Sequence, residues 1–129
     1  MKDPLFLTLS EVVEIHKNQI DLYGGQLGVR DLSLVQSAIA QPQVSFGGER
    51  LHPTLLDMAS AYAFHVCENH PFFDGNKRTA LAACLVFLEL NGISIRDRKE
   101  HLLEAMLKMA MGKMKKSEFA YLLQSLREE

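Results

Sequence analysis

A strong charge of one sign is the first thing this sequence lacks. Fourteen Lys and Arg residues face sixteen Asp and Glu, a formal net charge of −2 at pH 7. That balance offers no electrostatic footprint for nucleic acid or for an anionic membrane surface. Cysteine is scarce. Cys67 and Cys84 sit in apolar helical runs, with no second Cys and no His at zinc-like spacing. Both are expected to be buried free thiols, and neither asks for an oxidising compartment. Long hydrophobic runs are missing too. The longest, Ala80 to Leu88, is far short of the roughly 20 residues of a spanning helix. The start, Met-Lys-Asp-Pro, has neither the apolar region nor the cleavage pattern of a secretion signal. The expectation is a soluble, cytoplasmic protein with no membrane and no direct nucleic-acid partner. Repeats, low-complexity tracts and linkers are absent. So are a Gly-x-x-x-x-Gly-Lys-Ser/Thr loop, which Met111-Gly112-Lys113-Met114 does not supply, and a kinase-type Gly-rich loop.

What is present is a helical chain. At 129 residues, 47% hydrophobic and 23% charged, it fits one globular domain over residues 1–129. The sequence predicts an all-α fold. Leu5-Phe6-Leu7 reads as a short extended lead-in, and Thr8-x-x-Glu11 as a capping box. The helix it opens turns Val12, Ile15, Ile20 and Tyr23 inward and stops at Gly24-Gly25. Asp31 is the N-cap of a second helix that runs to Ala40 and ends before Pro42. Residues 43–52 carry short apolar pieces around Gly47-Gly48, the pattern of a small hairpin or flap, with a plain surface loop as the alternative. Pro53 fits the first turn of a helix to about Glu68 with Leu56, Ala59, Ala63, Val66 and Cys67 in the core. The next helix runs from about Asn76 to Leu90, with Leu81, Cys84, Leu85 and Leu88 inward, and ends at Asn91-Gly92. Ile93-Ser94-Ile95 is a short extended piece, and helices near 99–111 and 117–127 close the chain. Met106, Met109, Met111 and Met114 are expected to fill core space. Lys113-Met114-Lys115-Lys116 reads as a solvated turn.

The chemistry concentrates in His70-Pro71-Phe72-Phe73-Asp74-Gly75-Asn76-Lys77-Arg78-Thr79, between two core helices. A helix N-terminus leaves backbone N–H groups unpaired and carries partial positive charge. Lys77 and Arg78 in that first turn oppose the macrodipole, and a bound anion would reverse the sign. Gly75, Asn76, Lys77 and Arg78 are therefore the candidate phosphate site. Asp74 beside it suits Mg²⁺, which keeps waters and bridges phosphate oxygens; N-capping is its rival role. His70 can take a hydroxyl proton near neutral pH, or serve structurally, as His16, His52, His65 and His101 are expected to. Phe72 is the expected hydrophobic anchor of the loop, and Pro71 restricts its entry.

The loop resembles the signature of the Fic/Doc proteins, His-Pro-Phe-x-Asp/Glu-Gly-Asn-Gly/Lys-Arg, with every fixed position filled. Tyr23-Gly24-Gly25, Gly28-Val29-Arg30-Asp31 and Leu34 to Pro42 resemble the N-terminal part of Doc toxins, and Thr79 to Gly92 the helix after their loop. The resemblance covers about Thr8 to Ile95. It implies a compact helical domain, His70 as the activator of a target hydroxyl, and Asp74 as the metal-binding acid. Nucleotidylating Fic enzymes usually read Gly-Asn-Gly-Arg-x-x-Arg, whereas Lys77 and Leu81 here resemble the Doc branch. That branch implies a protein kinase presenting the γ-phosphate of ATP, with elongation factor Tu as target and a Phd-like antitoxin as partner. Pro71 and Gly75 are closer to Fic, so AMP transfer is the alternative; a non-enzymatic binding module is the third reading. No complete inhibitory Ser/Thr-x-x-x-Glu-Gly/Asn motif follows Ser10 or Ser125, so inhibition is expected in trans.

Overall fold

A computed structural model describes residues 3–128. Six helices dominate it: α1 (Leu9–Tyr23), α2 (Leu32–Ala40), α3 (Leu55–Asn69), α4 (Asn76–Leu90), α5 (His101–Ala110) and α6 (Lys116–Leu126). A 3-10 turn, Gln41–Gln43, follows α2, and a small antiparallel hairpin joins β1 (Ser45–Phe46) to β2 (Glu49–Arg50). The all-α reading holds, with the hairpin as its only sheet among the described residues.

The central helix is α3, against which α2, α4, α5 and α6 all pack. Its side chains are buried nearly all round, from Leu56 and Met58 through Tyr62 to Val66 and Cys67. A helix apolar on every side belongs inside a core, and the small residues Ala59, Ser60, Ala61 and Ala63 let the neighbouring helices approach. Tyr62 is fully buried, and its hydroxyl accepts the Leu7 N–H at 2.9 Å. Burial pushes that phenol up to about 12. The Leu5–Leu7 lead-in is coil rather than strand. It is held by Tyr62 and by Asn91, whose side chain bonds both the N–H and the carbonyl of Leu5.

Local signals explain most boundaries. The Thr8/Glu11 capping box forms, and Asp31 caps α2 by accepting the Ser33 N–H. Gly47 and Gly48 take φ of 60° and 84°, which suits a tight hairpin turn that residues with a Cβ resist. Both cysteines are free and buried. Several expectations need correction. Pro53 lies outside α3, because the Thr54 hydroxyl accepts the Asp57 N–H as the N-cap and the helix starts at Leu55, two residues after Pro53. On α4 the buried stripe is Asn76, Thr79, Ala80, Ala83, Cys84, Phe87 and Leu88. Leu81 and Leu85 sit half-buried at its edge, since α3 claims the opposite flank. Tyr23 is 59% exposed rather than inward, and its ring lies under a guanidinium described below. Met106 and Met109 fill the core, but Met111 lies past the end of α5 and is exposed. The basic turn is solvated at Lys113 and Lys115, while Lys116 folds inward onto His52 and His65. No described helix is long and apolar enough to cross a membrane.

Candidate active site

The loop between α3 and α4 begins where α3 ends abruptly. His70 is the C-cap and takes a left-handed conformation, φ 51° and ψ 54°. Pro71 and Phe72 then turn inward and are buried, while His70, Phe73, Asp74, Lys77 and Arg78 stay exposed. Six residues, His70 to Gly75, thus carry the chain from one core helix to the next, with the chemistry facing out and the anchor facing in.

Three sets of contacts hold this loop. Along one side lies the segment Gly28–Asp31. Phe73 N–H donates to Gly28 O at 3.1 Å, and the N–H groups of Arg30 and Asp31 donate to Pro71 O at 2.8 and 3.1 Å. Val29 and Phe72 form an isolated antiparallel bridge. Beneath the loop, the His16 ring stacks on Phe72 with centroids 3.9 Å apart and planes within 4°, and its Nε2 lies 2.9 Å from Asp74 O. From inside, Asn76 clasps Phe72. Its Oδ1 accepts the Phe72 N–H and its Nδ2 donates to Phe72 O, both at 3.0 Å. The side chain of Asn76 is thereby fully engaged, which leaves only its backbone N–H for an anion.

Asp74 does not cap α4; Gly75 occupies the N-cap position at φ 71°. The carboxylate is instead pinned by two backbone donors, Gln26 N–H to Oδ2 at 3.1 Å and Gly75 N–H to Oδ1 at 2.9 Å. These two bonds hold its pKa below the usual carboxylate value, with His16 and His70 acting in the same direction. The approach of Gln26 needs Gly25, where an added Cβ would stand 2.8 Å from Asp74 Oδ2. No side chain caps the α4 N-terminus, so the first-turn N–H groups point outward beside Lys77 and Arg78. The Arg78 guanidinium rests over the Tyr23 ring at 4.2 Å, a cation–π contact that fixes its position.

The arrangement joins an exposed imidazole, an ionised carboxylate and a positively polarised helix end within one loop. It can bind an anion, hold a hard cation through Asp74, and accept a proton at His70. Residues 6–88 match the Fic/DOC family model. The chain belongs to the Fic/Doc family, in its Doc toxin branch. It is 42% identical over 86 residues to Toxin Doc of Mycolicibacterium smegmatis, covering 63% of this chain and 66% of that protein. It is 32% identical over 90 residues to Protein kinase doc of Escherichia phage P1, covering 70% and 71%. The matched Fic/Doc region contains the whole loop and the three contact sets that hold it.

The loop residues themselves stand where their order in the chain put them. Four supports were not among the expected site residues: Gln26, Arg30, the Tyr23 ring beneath Arg78, and His16, which has the structural role expected of it. Of these, His16 had a signal in its four-residue spacing between Val12 and Ile20 on the buried face of α1, and Tyr23 and Arg30 lie in stretches that resemble Doc toxins; Gln26 had none.

Proposed function

We propose that this chain is a Doc-type toxin that transfers the γ-phosphate of ATP to a hydroxyl of a translation factor and so blocks translation. Elongation factor Tu is the target that the family resemblance implies. The observation that carries the reading is the pinned Asp74 carboxylate beside an uncapped helix end that bears Lys77 and Arg78, with His70 exposed at the other end of the same loop. A relative named as a protein kinase supports the reaction type, and one named as a toxin supports the biological role.

In this reading the outward N–H groups of α4, with Lys77 and Arg78, bind the phosphates of ATP. His70 accepts the proton of the target hydroxyl. That oxygen attacks the γ-phosphorus, the bond from the γ-phosphorus to the β–γ bridging oxygen breaks, and ADP leaves with the bridging electrons. Among the described residues no cluster of three or more His, Cys, Asp or Glu side chains could hold a metal. A single ionised carboxylate beside phosphates is nevertheless the donor set that Mg²⁺ accepts, since water and phosphate oxygens complete its shell. Asp74 would hold it, and bound Mg²⁺ would neutralise charge on the transferring phosphoryl group.

The second reading is AMP transfer, favoured by Pro71 and Gly75. Leu81 weighs against it. It is half-buried on the wall beside Arg78 and offers no cation to a second phosphate. Intact-mass analysis of the target decides between the two. A phosphate-sized addition from wild-type protein supports phosphotransfer, an AMP-sized addition replaces it with nucleotidyl transfer, and no addition to any translation factor overturns both.

A Phd-like antitoxin is the proposed partner. A groove of about 430 Å³ runs from Tyr23 and Arg78 along Leu81 and Leu85 to Leu102 and Leu103. An amphipathic segment laid there would cover Arg78. Co-expression with a Phd-like antitoxin should rescue growth and raise the melting temperature of the chain, because a ligand of the folded state stabilises it. Rescue without a physical complex would count against the pairing.

A further inference from the structure

Only two non-glycine residues among those described have positive φ, His70 and Glu100. Glu100 opens α5 in an exposed turn. His70 is different, because its side chain belongs to the reacting set proposed above and its backbone conformation decides where that side chain starts. A residue with a Cβ leaves the left-handed region readily unless something holds it there. Nothing on α3 does so, since the helix has ended and its last carbonyls have lost their helical donors.

The holding group comes from another part of the chain. Arg30 Nε donates to His70 O at 2.9 Å and Arg30 Nη2 to the same oxygen at 2.6 Å. Nη2 also reaches Asn69 O at 3.3 Å. The backbone N–H of Arg30 donates to Pro71 O at 2.8 Å. One residue therefore grips consecutive carbonyls on both sides of the His70–Pro71 peptide, by its side chain and by its main chain. The Asn69 side chain donates to Leu34 O at 3.0 Å, which ties the end of α3 to the helix that follows Arg30.

We infer that Arg30 is a positioning residue for His70: its guanidinium fork fixes the His70 carbonyl, keeps that residue left-handed, and so aims the imidazole. The fork explains the choice of residue. Two N–H groups converge on one oxygen while a third bond reaches the neighbouring carbonyl, a geometry that the single ammonium of Lys does not reproduce. The cation also sits at the C-terminal end of α3, where the helix dipole favours it. The catalytic consequence rests on the proposed role of His70 as base. The conformational claim does not.

The test compares wild type with Arg30→Ala and Arg30→Lys. In the phosphotransfer assay kcat should fall by about 10²-fold in Arg30→Ala, the scale of a misaligned reacting group, while KM for ATP stays within about twofold. Arg30→Lys should recover only part of the loss. Arg30 is exposed, so millimolar guanidinium can enter the vacated place and should restore much of the Arg30→Ala rate. A general loss of stability would not respond to guanidinium in this way. The second measurement needs no activity. The His70 Cα chemical shift and its amide–Hα coupling should leave left-handed values in Arg30→Ala and return with guanidinium. An active wild type with an unaltered kcat in Arg30→Ala overturns the catalytic claim, and so does a slow variant that guanidinium fails to rescue. If wild type transfers nothing, the base role of His70 fails alone, and an unmoved His70 signal then overturns the lock itself.

Discussion

Acid should loosen this protein through one half-buried cluster, well before its carboxylates titrate. Lys116 at the start of α6 places Nζ 3.0 Å from His65 Nε2 on α3 and 3.4 Å from His52 Nε2, next to β2. It also lies over the Phe64 ring at 5.3 Å. Burial, then the Lys116 cation and then His52, push His65 from 6.5 down to about 4. Burial and Lys116 lower His52 as well, against opposing pulls from the Gln41 backbone and Asp57. A histidine whose folded pKa is depressed binds fewer protons folded than unfolded. Its contribution is therefore present above the unfolded value and is lost as pH falls toward the folded one. From about pH 6.5 to about pH 5 the unfolded chain takes up the proton and folded His65 does not. At 1.36 kcal/mol per pH unit this is about 2 kcal/mol, and water reaching the half-buried ring reduces it to about 1–2 kcal/mol. Urea titrations across that range measure the difference. His65→Gln should remove the His65 share and flatten the slope, leaving the smaller His52 share. Equal stability at both ends in wild type, or an unchanged slope in His65→Gln, would refute the reasoning.

The loop gives three further expectations. Asn76→Ala should cost about 2–4 kcal/mol in denaturant unfolding, because both polar groups of buried Phe72 lose their partner; a loss under 1 kcal/mol would mean that water replaces the clasp. Gly25→Ala puts a Cβ 2.8 Å from Asp74 Oδ2 at φ 113°, so it should detach the carboxylate from Gln26 N–H and raise the Asp74 pKa in a carboxylate NMR titration, an outcome that an unchanged titration would contradict. Asp74→Asn should lower transfer and raise the Mg²⁺ concentration needed for half-maximal rate, whereas an unchanged Mg²⁺ dependence would leave Asp74 a structural role only.

The sequence by itself determined the helices, because their signals are local. Capping oxygens at Thr8 and Asp31, the Gly47-Gly48 turn and helical apolar spacing act within a few residues of the groups they affect. It also determined that one short stretch holds His70, Asp74, Lys77 and Arg78 together, since a six-residue connection cannot separate them. Only tertiary packing decided which side chains of that stretch stay free. Asn76 is turned inward onto Phe72, and Asp74 is excused from capping because Gln26 N–H reaches it from a turn 48 positions away. Packing also decided which faces of α4 are covered, leaving Leu81 and Leu85 on a groove rather than in the core. The supports at His16 and Arg30 meet the loop across 58 and 40 positions. Their contacts depend on how α1 and the Gly28–Asp31 segment dock, which local periodicity does not encode.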